Sequence, residues 1–249
     1  MHAVLESAQF LMPKSGHTLV ECEDAVAANN ELGRYALADG ATEAFDAVNW
    51  ARKLTEAWIA GNVPASAPAR FREWVVPLGK ELNASWEGLS LPWYAEEKAR
   101  HGSFAAFVGL EFGDNPVALM WRAISLGDSC LIHIKRDGNH TSWPIEDYRA
   151  FNSAPILVPS STATQGAAFD MTRVLTGKLG MGEVLLLLSD AIACWFISRA
   201  EAADPKRFIL GSLFDLYERE KLEKVFSEER SCGRLKDDDI AIAAIRVAQ

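Results

Sequence analysis

Four acidic groups stand far apart along the chain: Glu23-Asp24, Asp39-Gly40, Ser189-Asp190 and Asp237-Asp238-Asp239, each at the edge of an apolar run of strand length. A carboxylate at a strand end is held by a rigid scaffold while its oxygens project into any cleft that lies there. Several carboxylates in one cleft repel each other, and a cation lets them ionise together. Oxygen donors without His or Cys suit Mg²⁺ or Mn²⁺ and disfavour zinc. Taken singly, Asp39 and Asp190 are equally what a strand-end turn or a helix cap uses. Asp128, in Gly127-Asp128-Ser129, serves a hairpin turn as well as a metal, and Asp237 to Asp239 continue a charge run that starts at Lys236.

The elements that must position these groups are legible as runs. Leu19 to Ala28 breaks at Asn29-Asn30 and resumes as Arg34 to Ala38, which predicts two strands joined by a polar turn. Ala118 to Leu126 and Cys130 to Ile134 predict two more around Gly127-Asp128-Ser129. Val184 to Leu188 is continuously apolar and of strand length, hence a buried central strand, followed by a helix from Ala191 to Ala200. Ile240 to Val247, rich in β-branched residues, predicts a final core strand.

Between the first and second strand pairs the period changes. Thr42 is placed to cap a helix carrying Phe45, Val48, Leu54 and Trp58 on one face, and a second stripe holds Phe71, Trp74, Val75, Leu78 and Leu82. A short helical segment, Trp93 to His101, follows. Asn152 to Gly182, with its Pro, Ser, Thr and Gly, predicts loop with a short strand or turn embedded, and Ser212 to Glu229 holds an amphipathic helix. Helices in blocks between strand pairs favour an α+β layered fold over a doubly wound parallel sheet, with two sheets back to back and helices outside.

At 249 residues, 49% hydrophobic and 24% charged, residues 1–249 suit a single globular domain. The formal charge of −9, from 25 Lys+Arg against 34 Asp+Glu, argues against a broad grip on nucleic acid or anionic lipid. Cys22, Cys130, Cys194 and Cys232 show no metal-binding spacing and suit buried thiols in a reducing compartment. No basic-then-apolar leader and no run of about 20 apolar residues is present, so a cytoplasmic setting without a membrane anchor is expected. The five histidines share no spacing, the tryptophans fall at packing positions, and no serine lies in a GxSxG elbow, which argues against a serine hydrolase.

In order and context, the acidic groups resemble the motifs of the metal-dependent protein phosphatases of the 2C type. Glu23-Asp24-Ala25, Ala38-Asp39-Gly40, Gly102-Ser103 with the apolar run Phe104 to Leu110, Gly127-Asp128-Ser129, Leu188-Ser189-Asp190 and Asp238-Asp239-Ile240 match across nearly the whole chain. The resemblance implies a four-layer α-β-β-α sandwich, two central and mostly antiparallel sheets flanked by helices, in a bacterial-style single-domain member. It implies two Mn²⁺ or Mg²⁺ ions and hydrolysis of phosphoserine and phosphothreonine without a phosphoenzyme. It further implies that Asp39 bridges both ions, that the Gly40 carbonyl binds one, and that Asp190 and Asp238 bind the other. By the same likeness Asp24 orients the water on the metals, and Asp128 with Asp190 serves a third ion. The expected partner is a phosphoprotein, set in a circuit with a Ser/Thr kinase, and the expected state is a monomer.

The chain also departs from the pattern. Leu19 stands where an Arg for phosphate is expected, and Lys14, in Pro13-Lys14-Ser15-Gly16, is the candidate to replace it as a point charge, with His17 nearby. Ala41 stands where some members place a proton-donating His, and Ala191 follows Asp190 in place of Gly. The substrate flap of many members is expected to shrink to part of Asn152 to Gly182, and Trp195 is expected to border the cleft. The rival expectation is a catalytically weak or inactive module that uses the fold for binding or scaffolding. A third is a two-metal hydrolase of small phosphoesters.

Overall fold

The computed structural model describes residues 4–61, 68–113, 119–151, 154–161, 166–199, 209, 212–215 and 218–248. In chain order its elements are β1 (Leu5–Met12), β2 (Asp24–Asn29), β3 (Arg34–Gly40), α1 (Ala47–Ala60), α2 (Pro68–Ala84), α3 (Trp93–His101), β4 (Phe104–Phe112), β5 (Met120–Leu126), β6 (Cys130–Ile134), β7 (His140–Trp143), β8 (Val158–Pro159), β9 (Arg173–Lys178), β10 (Val184–Leu188), α4 (Asp190–Arg199), α5 (Arg219–Ser231) and β11 (Ile240–Val247). One sheet runs β1-β11-β10-β6-β7 and the other β2-β3-β4-β5-β9, with β8 beside β4. The described strand pairings are all antiparallel.

The period of two in the sequence builds the layers. In β10, Leu185 and Leu187 enter the core between the sheets, while Val184, Leu186 and Leu188 enter the core under α4 and α5. β11 divides in the same way, with Ala241, Ala243 and Ile245 on one side and Ile240, Ile242 and Ala244 on the other. In the second sheet Tyr35, Leu37, Val108 and Leu110 meet the first sheet, and Ala36, Ala38 and Phe107 meet α1 and α2. Strands with both faces covered read as unbroken apolar runs, and each fully buried Leu or Phe contributes about 1.5–3 kcal/mol. The result is the expected α-β-β-α sandwich.

Local boundaries differ from expectation for identifiable reasons. The first predicted strand begins at Asp24 and not at Leu19, because Thr18 to Glu21 closes a turn in which the Thr18 amide and hydroxyl donate to Glu21 Oε2 at 2.9 and 2.8 Å. Leu19 and Val20 are accordingly exposed. Helix α1 begins at Ala47, past Thr42, whose hydroxyl donates instead to Glu23 Oε2 at 2.7 Å. Asp46 sits at its N-terminus with φ 59° and accepts from Trp86 Nε1 at 2.9 Å. Trp50 and Trp58 donate their ring N–H groups to the carbonyls of Val158 and Leu110, which fastens α1 to the second sheet. β1 and β7 are edge strands beyond the predicted set, and each has a single buried residue, Phe10 and Ser142, so neither shows clean alternation; β8 and β9 are the short strands within Asn152 to Gly182. Ala118, the first residue of one predicted strand, and Ala200, the last of a predicted helix, lie outside the described residues.

Candidate active site

Five acidic residues from separate chain segments meet at one end of the sandwich. Asp24 opens β2 and is the register partner of Asp39 near the end of β3. Asp39 continues into Gly40, whose N–H donates to Glu23 O at 3.1 Å. A Cβ on Gly40 would lie 2.8 Å from that carbonyl and 2.9 Å from Ala47 O, so only glycine fits where β3 passes the start of α1. Asp128 occupies the turn between β5 and β6, behind Gly127 with φ 115°, a left-handed conformation suited to glycine. Asp190 leaves β10 and starts α4, with its own N–H 3.5 Å from Asp39 Oδ2. Just before it, Ser189 accepts from Ala241 N–H at 3.0 Å and so ties the end of β10 to β11. Asp238 immediately precedes that last strand.

Asp39, Gly40, Asp128, Asp190 and Asp238 line one cleft of about 310 Å³, with Thr42, Glu43 and Lys236 at the same opening. Asp24 lies buried next to Asp39. Burial, and then the neighbouring carboxylates Asp24, Asp190 and Asp128, hold the Asp39 carboxyl well above its ordinary range. Asp24 is held up by burial and by Asp239, Asp190 and Asp238, against a lowering hydrogen bond from Ser189. Asp128 is pushed up to about 6 by burial and by Asp190. Asp24 Oδ2 is buried without a hydrogen-bond partner.

These features fit divalent cations. The donors are all oxygen, their repulsion is what a cation offsets, and one buried oxygen lacks a partner. Among the described residues no three His, Cys, Asp or Glu side chains are already gathered as a closed ligand set. Lys236 Nζ reaches Asp238 Oδ2 at 2.6 Å and Asp190 Oδ2 at 3.3 Å, while Asp190 Oδ1 accepts from Ala191 N–H.

The other two aspartates of the C-terminal triplet are structural. Asp239, buried, accepts from Lys14 N–H and Glu23 N–H, both at 2.7 Å, and Asp237 accepts from Ser15 N–H at 3.0 Å and Ser15 Oγ at 2.9 Å. They fasten the segment after β1 to the strand that follows Asp238. Lys14 does not line the cleft itself. Its ammonium pairs with Glu23 Oε2 at 2.8 Å, the oxygen that also accepts from Thr42 at the cleft. Burial opposes its charge, but Glu23 together with Asp239 and Asp238 outweighs that and raises the lysine. Trp195 borders a neighbouring depression shared with Asp190 and Lys236, and its ring N–H donates to Glu229 at 2.9 Å. Sequence reasoning passed over Lys236 and Thr42; the lysine stood in view as the first charge of the run into Asp237.

No protein-family model and no curated relative matches the chain in sequence. Solved structures do match in fold over nearly its whole length. Stp1 from Staphylococcus aureus, a serine/threonine phosphatase, superposes with a TM-score of 0.66 at 13% identity, covering 100% of this chain and 97% of that one. The catalytic domain of the serine/threonine protein phosphatase PstP, solved with two manganese ions, gives 0.62 at 16% identity and 99% of each chain. PppA from Pseudomonas aeruginosa gives 0.58 at 16% identity, again with 99% of each. The chain therefore has the fold of the bacterial protein phosphatases of the 2C type, the family its motifs resemble.

Proposed function

We propose that this chain is a metal-dependent phosphatase of phosphoserine and phosphothreonine in proteins, acting as a single domain with two Mn²⁺ or Mg²⁺ ions. The observation that carries the reading is the convergence of Asp39, Asp128, Asp190 and Asp238 on one cleft, with Asp24 buried beside Asp39, in a fold shared with a phosphatase solved with two manganese ions. Asp39 and the Gly40 carbonyl would hold the ions on the β3 side, and Asp190 with Asp238 on the β10 and β11 side. Asp128 stands ready for a third.

When bound, the ions supply an attacking water that is acidic at neutral pH and positive charge against the phosphoryl oxygens. The protein's own groups do the positioning. Asp24 offers its unpartnered Oδ2 as a hydrogen-bond acceptor that orients the attacking water. Lys14, the sequence's candidate to replace the arginine that Leu19 does not supply, is paired with Glu23 beside the cleft and would act on phosphate only through the field of that pair. Ala41 has no proton to give, so a water on the ions or another side chain would protonate the leaving oxygen, and slower turnover is expected. Among the described residues no helix is long and apolar enough to cross a membrane, and we place the protein in the cytoplasm as a monomer opposing a Ser/Thr kinase.

The test is hydrolysis of a phosphopeptide with added Mn²⁺, expected in the wild type and abolished in Asp39→Asn. Equal, metal-independent turnover in both proteins overturns the proposal. A second reading, a binding module without activity, draws on Leu19 and Ala41; a protein that binds no Mn²⁺ at micromolar concentration by calorimetry would favour it.

A further inference from the structure

Among the described residues that line the acidic cleft, Lys236 is the one Lys or Arg. Its ammonium lies between carboxylates of two different segments, 2.6 Å from Asp238 and 3.3 Å from Asp190, yet the side chain is 63% exposed. It therefore stands at the mouth. The same residue lines the adjoining depression with Cys194, Trp195 and Arg234, so it forms part of the wall between two openings.

The other nearby cations are committed elsewhere. Arg234 grips Glu229 through Nε and Nη2, the shortest contact being 2.7 Å. Lys14 is paired with Glu23 and its side chain is only 17% exposed. Lys236 is held by carboxylates that are themselves only 22% and 28% exposed, and both are wanted as cation ligands, so divalent ions in the cleft would compete for them and leave the ammonium to another anion. A lysine also presents three donors on a flexible stem, so its charge can turn to a ligand without moving the backbone.

Charge balance makes this position matter. Asp24, Asp39, Asp128, Asp190 and Asp238, all ionised, outweigh two divalent cations by one negative charge before any phosphate dianion arrives. An ammonium at the mouth offsets that excess where the anion must enter.

We infer that Lys236 is a phosphate-binding residue of this cleft, donating to a non-bridging oxygen of the substrate phosphate and of the orthophosphate product. The inference rests on the phosphatase reading, and it assigns the grip on phosphate to a residue that the position of Leu19 would not suggest. Lys236 lies on an exposed loop, so Lys236→Met and Lys236→Arg are expected to fold as the wild type does.

The experiment titrates Mg²⁺, and then orthophosphate, calorimetrically into the three proteins. Lys236→Met should bind orthophosphate about tenfold more weakly, as for loss of one charge-assisted hydrogen bond, while Lys236→Arg stays within about threefold of the wild type. Mg²⁺ affinity should not fall in either variant. Unchanged orthophosphate affinity in Lys236→Met overturns the inference alone. So does loss of Mg²⁺ binding in that variant, which would make Lys236 an organiser of the carboxylates. A wild type that takes up no divalent ion overturns the phosphatase reading, and the inference with it.

Discussion

Asp24 and Asp39 face each other directly across the β2–β3 ladder, so a buried carboxylate with an unpartnered oxygen lies against one that lines the cleft. Like charges opposed in this way cost folding energy until a cation arrives.

Asp39→Asn should therefore stabilise the metal-free protein and remove its response to metal. In chelator the variant is expected to exceed the wild type by about 1 kcal/mol, the worth of one pKa unit of relieved repulsion. With Mn²⁺ the order should reverse, because only the wild type gains binding energy. Thermal unfolding with and without Mn²⁺ measures both; a variant that melts below the wild type in chelator contradicts the repulsion argument.

The pH dependence follows from the direction of the shifts. Asp128 rises from an ordinary 3.8 to about 6, so between those values the folded protein holds a proton that the unfolded chain has released. Metal-free stability should then fall as pH rises from about 4 to about 6, with Asp24 and Asp39 acting in the same sense. Denaturant midpoints in chelator check this, and Asp128→Asn should flatten the slope.

Gly40→Ala tests how closely the strand passes helix α1. Its Cβ would meet the carbonyls of Glu23 and Ala47 below 3.0 Å, so the backbone must shift. We expect a loss of about 1–3 kcal/mol and a weakened Mn²⁺ affinity, read by chemical denaturation and calorimetry. Wild-type values in both would show that the contact yields without cost.

Asp239→Ala should release the segment after β1. The carboxylate accepts two backbone N–H groups at 2.7 Å in a buried setting, and losing both is expected to cost about 3 kcal/mol. Hydrogen exchange should rise first at Lys14 and Glu23. Protection there equal to the wild type would count against this anchoring role.

The layers were legible because β3, β4, β10 and β11 are covered on both faces, which leaves unbroken apolar runs such as Val184 to Leu188. The cleft aspartates were legible because each marks where such a run stops. Edge strands were not: β1 is half covered, and nothing in Leu5–Met12 announces its pairing with β11. The division of labour in the C-terminal triplet was also hidden, since three consecutive aspartates look alike until Lys14, Ser15 and Glu23 come near from more than 200 positions away. Lys236 looked like solvated charge for the same reason.

β11 lies in the middle of its sheet, between β1 and β10, although it is the last strand of the sequence. During synthesis, β1 and β10 leave the ribosome long before the strand that joins them. Until β11 emerges, both expose unpaired edges, and Asp238 is absent from the cleft. Completion of the sheet and of the carboxylate set are thus one event, so a chain stopped short of Ile240 loses its architecture together with its chemistry.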